Sequence, residues 1–135
     1  MESDVEAAFA EMSGPLRAHL LEIRALIFGV AQDCGVGPLT ETLKWGQPAY
    51  LTQASKAGTT IRLGQHKGHP GDAALFVNCQ TSLIDEFGSL FADELRFEGN
   101  RAVLVRLENA LPKSQLGSCI RLALTYHRRK KTGGV

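Results

Sequence analysis

The sequence predicts a single α+β domain, a mainly antiparallel sheet of about five strands covered by helices, in the order ααβββαββα. Three observations carry this. Apolar residues at Leu16, Leu20, Ile23, Ile27, Val30 and Cys34 recur at threes and fours, the period of an amphipathic helix. Beyond residue 38 the pattern changes to short β-branched and aromatic runs bounded by Gly, Pro and Asp. Between two later runs, Gly99-Asn100 is a two-residue hairpin signal. The strands come in runs rather than alternating singly with helices, which disfavours a doubly wound sheet.

In chain order, Ser3 followed three residues on by Glu6 has the spacing of a capping box and predicts a short helix over Asp4 to Met12. Ser13-Gly14-Pro15 interrupts it. The long helix then runs to Gly35 and Gly37-Pro38, which supply a left-handed cap and a residue that cannot continue the ladder. Thr40 to Trp45, Thr59 to Leu63 and Ala73 to Cys79 read as strands, with Ala49 to Leu51 as a further pairing fragment. Thr81 or Ser82 caps a third helix whose apolar face is Leu83, Ile84, Phe87, Leu90 and Phe91. In the hairpin, a two-residue loop sets Leu95 against Leu104, Phe97 against Ala102 and Glu98 against Arg101. Pro112 suits the first position of a final helix with Leu116, Cys119, Ile120, Ala123 and His127 on one face. Gly117 inside that helix predicts a close backbone approach, and Arg128 to Lys131 complement its negative end before the chain frays at residues 132–135. Residues 14–131 thus form the core of one domain, with residues 1–12 as an extra helix.

The chain has 135 residues, 44% hydrophobic and 21% charged, which suits an unstapled globular core and not disorder or a fibrous repeat. Fifteen Lys and Arg against fourteen Asp and Glu leave +1, so general attraction to nucleic acid or anionic lipid is not expected. The acidic start, with Glu2, Asp4, Glu6 and Glu11, lacks the positive charge and apolar run of a signal peptide. No apolar stretch reaches the ~20 residues that cross a bilayer. Cys34, Cys79 and Cys119 are odd in number, far apart and without C-x-x-C spacing, which points to reduced thiols in a cytoplasmic protein.

No G-x-S-x-G elbow, phosphate loop or H-E-x-x-H is present, so no catalytic residue and no cofactor are assigned. The loop His66-Lys67-Gly68-His69-Pro70-Gly71-Asp72 offers two imidazoles and a carboxylate, fewer ligands than a stable metal site needs, and reads as a strand connection. The most informative segment is Thr42-Leu43-Lys44-Trp45-Gly46-Gln47-Pro48-Ala49-Tyr50. It places the only tryptophan and one of two tyrosines around a Gly and a Pro that turn the chain out of a strand. Such a turn either plugs a sheet corner with Trp45 as core, or presents an aromatic wall and an amide to a ligand or partner. On the second reading Lys44, Trp45, Gly46, Gln47, Pro48 and Tyr50 are the candidate binding residues.

The Lys44-Trp45-Gly46-Gln47-Pro48 turn, the run Ala74 to Thr81, the hairpin Leu95 to Ala102 and the closing Ala123-Leu124-Thr125-Tyr126-His127 together resemble the YdhG-like domain-of-unknown-function family, in the right order from Ala18 to Lys130. The resemblance implies a small α+β cytosolic bacterial domain without an established enzymatic activity. It also implies an alternative, since some members are described as frataxin-like iron chaperones. An iron ridge needs dense exposed carboxylates, and only Glu2, Asp4, Glu6 and Glu11 offer them here. The leading expectation is therefore a non-enzymatic module binding a small molecule or a protein near Trp45, with iron chaperoning second. The basic run Arg128 to Lys131 is a third, weaker prospect for nucleic-acid contact.

Overall fold

The computed structural model describes residues 1–131. Two helices open the chain, α1 (Ser3–Ala10) and α2 (Gly14–Cys34). The predicted capping box at Ser3 is absent: Glu2 takes the cap position without a side-chain bond, and Ser3 is already helical. The end of α1 is capped from outside instead, by Arg17 donating to the carbonyls of Phe9 and Met12 at 3.1 and 3.0 Å. In α2 the Ser13 hydroxyl accepts from the Leu16 amide, Pro15 sits in the first turn, and Gly35 closes the helix at φ +64°. Its core stripe is Leu16, Leu20, Ile23, Ile27 and Ala31; Val30 and Cys34 are half-buried on its flank.

Four strands follow, β1 (Thr40–Lys44), β2 (Gln47–Leu51), β3 (Ile61–Gly64) and β4 (Asp72–Phe76), then α3 (Leu83–Phe91), β5 (Arg96–Glu98) and β6 (Ala102–Arg106). They form one six-stranded sheet in the order β1-β2-β3-β4-β6-β5, antiparallel throughout. The fragment expected at residues 49–51 is thus a complete strand, and Pro48 lies inside it. Pro48 pairs with Leu43 of β1, while β3 pairs only with Ala49 and Tyr50, so the missing N–H breaks no rung.

The hairpin register departs from the expected one. Arg96 faces Leu104, Phe97 faces Val103 and Glu98 faces Ala102, leaving three residues, Gly99 to Arg101, in the loop. Gly99 takes φ +59°, and the Arg101 carbonyl accepts from the Val77 amide. Because side chains alternate, the one-residue shift decides the face. It sends Phe97 to the helix side with Val103, where the core is, instead of opposite Ala102.

The last helix also differs. It is two pieces, α4 (Lys113–Leu124) and α5 (Tyr126–Lys131), with Pro112 just outside the first. The break at Thr125 has local causes. The Ala123 carbonyl accepts from Thr59, the Arg128 amide donates to Ala57, and the Thr125 hydroxyl donates to Arg121. The helix ladder is exchanged for bonds to the β2–β3 connection, and His127 is exposed rather than on a core face. The close backbone approach expected at Gly117 is found at Gly58, where a Cβ would stand 2.3 Å from the Leu124 carbonyl oxygen. The fray expected at residues 132–135 lies outside the described residues.

One large core joins all four longer helices to one face of the sheet, through Tyr50, Ile61, Leu63, Leu75, Val103 and Val105. The opposite face holds only a small cluster of strand residues, Ala74, Phe76, Ala102 and Leu104. The sheet is therefore covered on one side. Among the described residues no helix is long and apolar enough to cross a membrane.

Candidate functional site

The uncovered face begins at the β1–β2 turn. Lys44 pairs with Gln47, so Trp45 and Gly46 form a two-residue loop, with φ +56° and +75°. Two positive φ values are the pattern of a type I′ hairpin turn, whose first position favours Asn or Gly. Here it carries a bulky tryptophan, 89% exposed. The core-plug reading of Trp45 is thereby corrected: the indole is in solvent.

From this turn, period-two alternation sorts the neighbouring residues. Lys44 and Gln47 lie on the open face with Arg62 of β3 and Phe76 of β4; Pro48 and Tyr50 lie on the other. Tyr50 is fully buried under α2, its ring edge-on to Phe28 at 5.7 Å, and its hydroxyl donates to Glu41 at 2.8 Å. Arg24 completes this inner group by a two-pronged pairing with Glu41. Burial raises the Glu41 carboxyl, but hydrogen bonds from Arg24 and Tyr50 outweigh it and hold the group below its ordinary value. Of the six candidate residues, Tyr50 and Pro48 thus serve the core, while Lys44, Trp45, Gly46 and Gln47 are on the open side or its rim.

Two residues absent from that reading complete the surface. Arg62 is half-buried, donates to the Gln47 side-chain carbonyl and lies over the Phe76 ring at 5.2 Å from its centroid. Arg101, in the β5–β6 loop, stands close enough to repel it. Burial lowers the Arg62 guanidinium's proton affinity and Arg101 lowers it further. A depression of about 270 Å³ lies between Lys44, Trp45, Arg62, Cys79 and Arg101. A second, of about 490 Å³, shares Arg62 and Arg101 and continues past Gln47 and Phe76 to His66 and Lys67. Alternation about Ile61 and Leu63 was the available signal for Arg62. None existed for Arg101, which reaches the site through the hairpin loop.

Gly64 shapes this face. A Cβ there would meet the Gln47 side-chain nitrogen at 2.5 Å, so glycine leaves the room that lets Gln47 lie across the sheet to Arg62. In the histidine loop, His69 contacts Glu98 at 2.9 Å and Asp72 at 3.7 Å, and Asp72 is held by both terminal nitrogens of Arg96. Glu98 is thus turned toward His69 and does not pair with Arg101 as the sequence suggested. The four acids of the iron alternative, Glu2, Asp4, Glu6 and Glu11, are exposed on and around α1, on the helix side. No group of three His, Cys, Asp or Glu side chains is gathered to hold a metal among the described residues.

Fold and site together define a small α+β protein with a one-sided antiparallel sheet and a basic, aromatic-rimmed open face. No protein-family model, curated protein or solved structure matches the chain.

Proposed function

We propose that the chain is a non-enzymatic binding module that takes a small molecule or a protein partner on the open sheet face at Trp45. One observation carries the reading: the only tryptophan is both exposed and in the left-handed region. That conformation costs an L-residue roughly 1–2 kcal/mol. An indole in solvent returns no packing to offset it. Strain kept without structural gain is a mark of a functional position. Covering one face of the ring, roughly 100 Å² at ~25 cal/mol/Å², would contribute about 2.5 kcal/mol to a complex. Membership of the YdhG-like family and a cytosolic location belong to the same proposal, resting on the quoted motifs, and the iron-chaperone alternative stays second to it.

The test is a titration of isotope-labelled protein with a set of small fragments, followed by amide shifts. Binding shifts should cluster at Lys44, Trp45, Arg62, Cys79 and Arg101 and disappear in Trp45→Ala, whose fold is unchanged. Responders that avoid this face, or shifts that persist in Trp45→Ala, would remove the reading.

A further inference from the structure

We propose that the ligand of the open face is a small planar organic anion, an aromatic ring bearing a phosphate or carboxylate, with its ring against Trp45 and its charge between Arg62 and Arg101. This rests on the binding reading above and names the ligand class.

Three other partly buried guanidiniums are matched by carboxylates, Arg24 by Glu41, Arg96 by Asp72 and Arg129 by Glu86, while Arg17 donates to two helix-end carbonyls. Lys44, Arg62 and Arg101 appear in none of the ion pairs among the described residues. The hydrogen-bond and ring partners of Arg62 are neutral, the Gln47 carbonyl and the Phe76 ring, and the charge beside it is another cation, Arg101. A guanidinium drawn partly out of water beside a second one is unfavourable until a counter-charge arrives. The two depressions are lined by Lys44, Arg62, Lys67 and Arg101 against a single carboxylate, Glu98, already engaged by His69. An anion converts the Arg62–Arg101 repulsion into two attractions, and planar guanidiniums suit the paired oxygens of phosphate and carboxylate.

Geometry limits the size. The depression beside Trp45, about 270 Å³, falls just below the ~300–1,000 Å³ usual for ligand pockets, which suits one ring and one anionic group. Sheet surfaces that read nucleic-acid strands stack two or three bases on exposed aromatics. Here Trp45 is the one aromatic open to stacking, since Phe76 is buried beneath Arg62. The site is also preorganised: Gly64 gives Gln47 its path, and Gln47 fixes the guanidinium.

Trp45 is the only tryptophan, so its emission reports the site directly. The probes are adenosine 5′-monophosphate and 1-naphthoate, with adenosine and inorganic phosphate as the separate halves and an eight-nucleotide oligothymidine as the polymer. At least one ring-bearing anion should quench Trp45 saturably and bind about tenfold or more tighter than adenosine or inorganic phosphate. Which of the two binds assigns phosphate or carboxylate. Arg101→Gln should weaken binding about tenfold with an unchanged melting temperature, since Arg101 is exposed and forms no ion pair. Gly64→Ala should weaken it too, by displacing Gln47 from Arg62 without removing any charge.

Silence of both anions, equal binding by Arg101→Gln, or binding of the oligothymidine alone would overturn the proposal. If neutral fragments still shift Trp45 while both anions fail, only the ligand class falls. If nothing shifts Trp45, the binding reading falls with it.

Discussion

Replacing Gly58 and Gly117 in turn by alanine makes the same chemical change at two glycines and should move stability in opposite directions. At Gly58 the added carbon would lie 2.3, 2.4 and 2.5 Å from the O, C and Cα of Leu124. These are backbone atoms and cannot rotate aside. Relief requires the β2–β3 connection to separate from the end of α4, breaking the Thr59–Ala123 and Arg128–Ala57 bonds at 3.0 and 2.8 Å. Two hydrogen bonds at ~1 kcal/mol each and an overpacking cost of ~1–3 kcal/mol give a loss of about 3–5 kcal/mol. That is a large part of the ~5–15 kcal/mol typical of a domain. At Gly117 the nearest atom to an added carbon is Leu26 Cδ1 at 3.9 Å, ordinary contact. Alanine there should gain about 1 kcal/mol from helix propensity. Urea unfolding followed by far-ultraviolet circular dichroism measures both. A loss below about 1 kcal/mol for Gly58→Ala would refute the close approach, and a loss of any size at Gly117 would refute the open space beside α4.

Trp45→Asn should raise stability by about 1 kcal/mol, because asparagine accepts the left-handed turn and no packing is lost; a lower urea midpoint would show that the indole packs on the protein. Glu41→Gln should cost about 2–3 kcal/mol at neutral pH, less than a fully buried pair because Arg24 keeps some solvent contact. Since Glu41 is held below its ordinary value in the fold, its stabilisation is complete above the ordinary carboxylate range and is lost as pH falls through the folded value. The variant should therefore lose part of the acid-side decline in stability, and an acid limb of unchanged steepness would count against the pairing. Burial pushes the Cys119 thiol up to about 12, whereas Cys34 and Cys79 are half-buried. A disulfide reagent should accordingly titrate two thiols quickly in the native protein and the third only on unfolding; three equal rates would contradict the buried position.

Much of the fold was readable because its cues are local. The stripe of α2, the glycine that ends it and the apolar runs of β3, β4 and β6 depend on nearest neighbours along the chain. The failures lie where distant segments decide. The split at Thr125 follows from Ala57 and Thr59, more than sixty residues earlier in the chain. The hairpin register follows from Phe97 needing the helix side, a choice that the Gly99-Asn100 dipeptide does not encode. For the site, the Trp-Gly turn was visible, but exposure of Trp45 depends on which sheet face stays uncovered. That is a property of helix packing, and it also separates Tyr50 from its neighbour Gln47.

The one-sided sheet bears on encounter rates as well. With a formal charge of +1, the molecule as a whole offers almost no long-range pull. Locally the balance is different: Lys44, Arg62, Lys67 and Arg101 line the two depressions of the open face against one carboxylate, Glu98, so that face carries a positive field of its own. A negatively charged visitor is drawn to that face once it comes within a screening length. Capture should quicken in dilute buffer and slow once added salt shortens the screening length to the ~10 Å reached near 0.1 M.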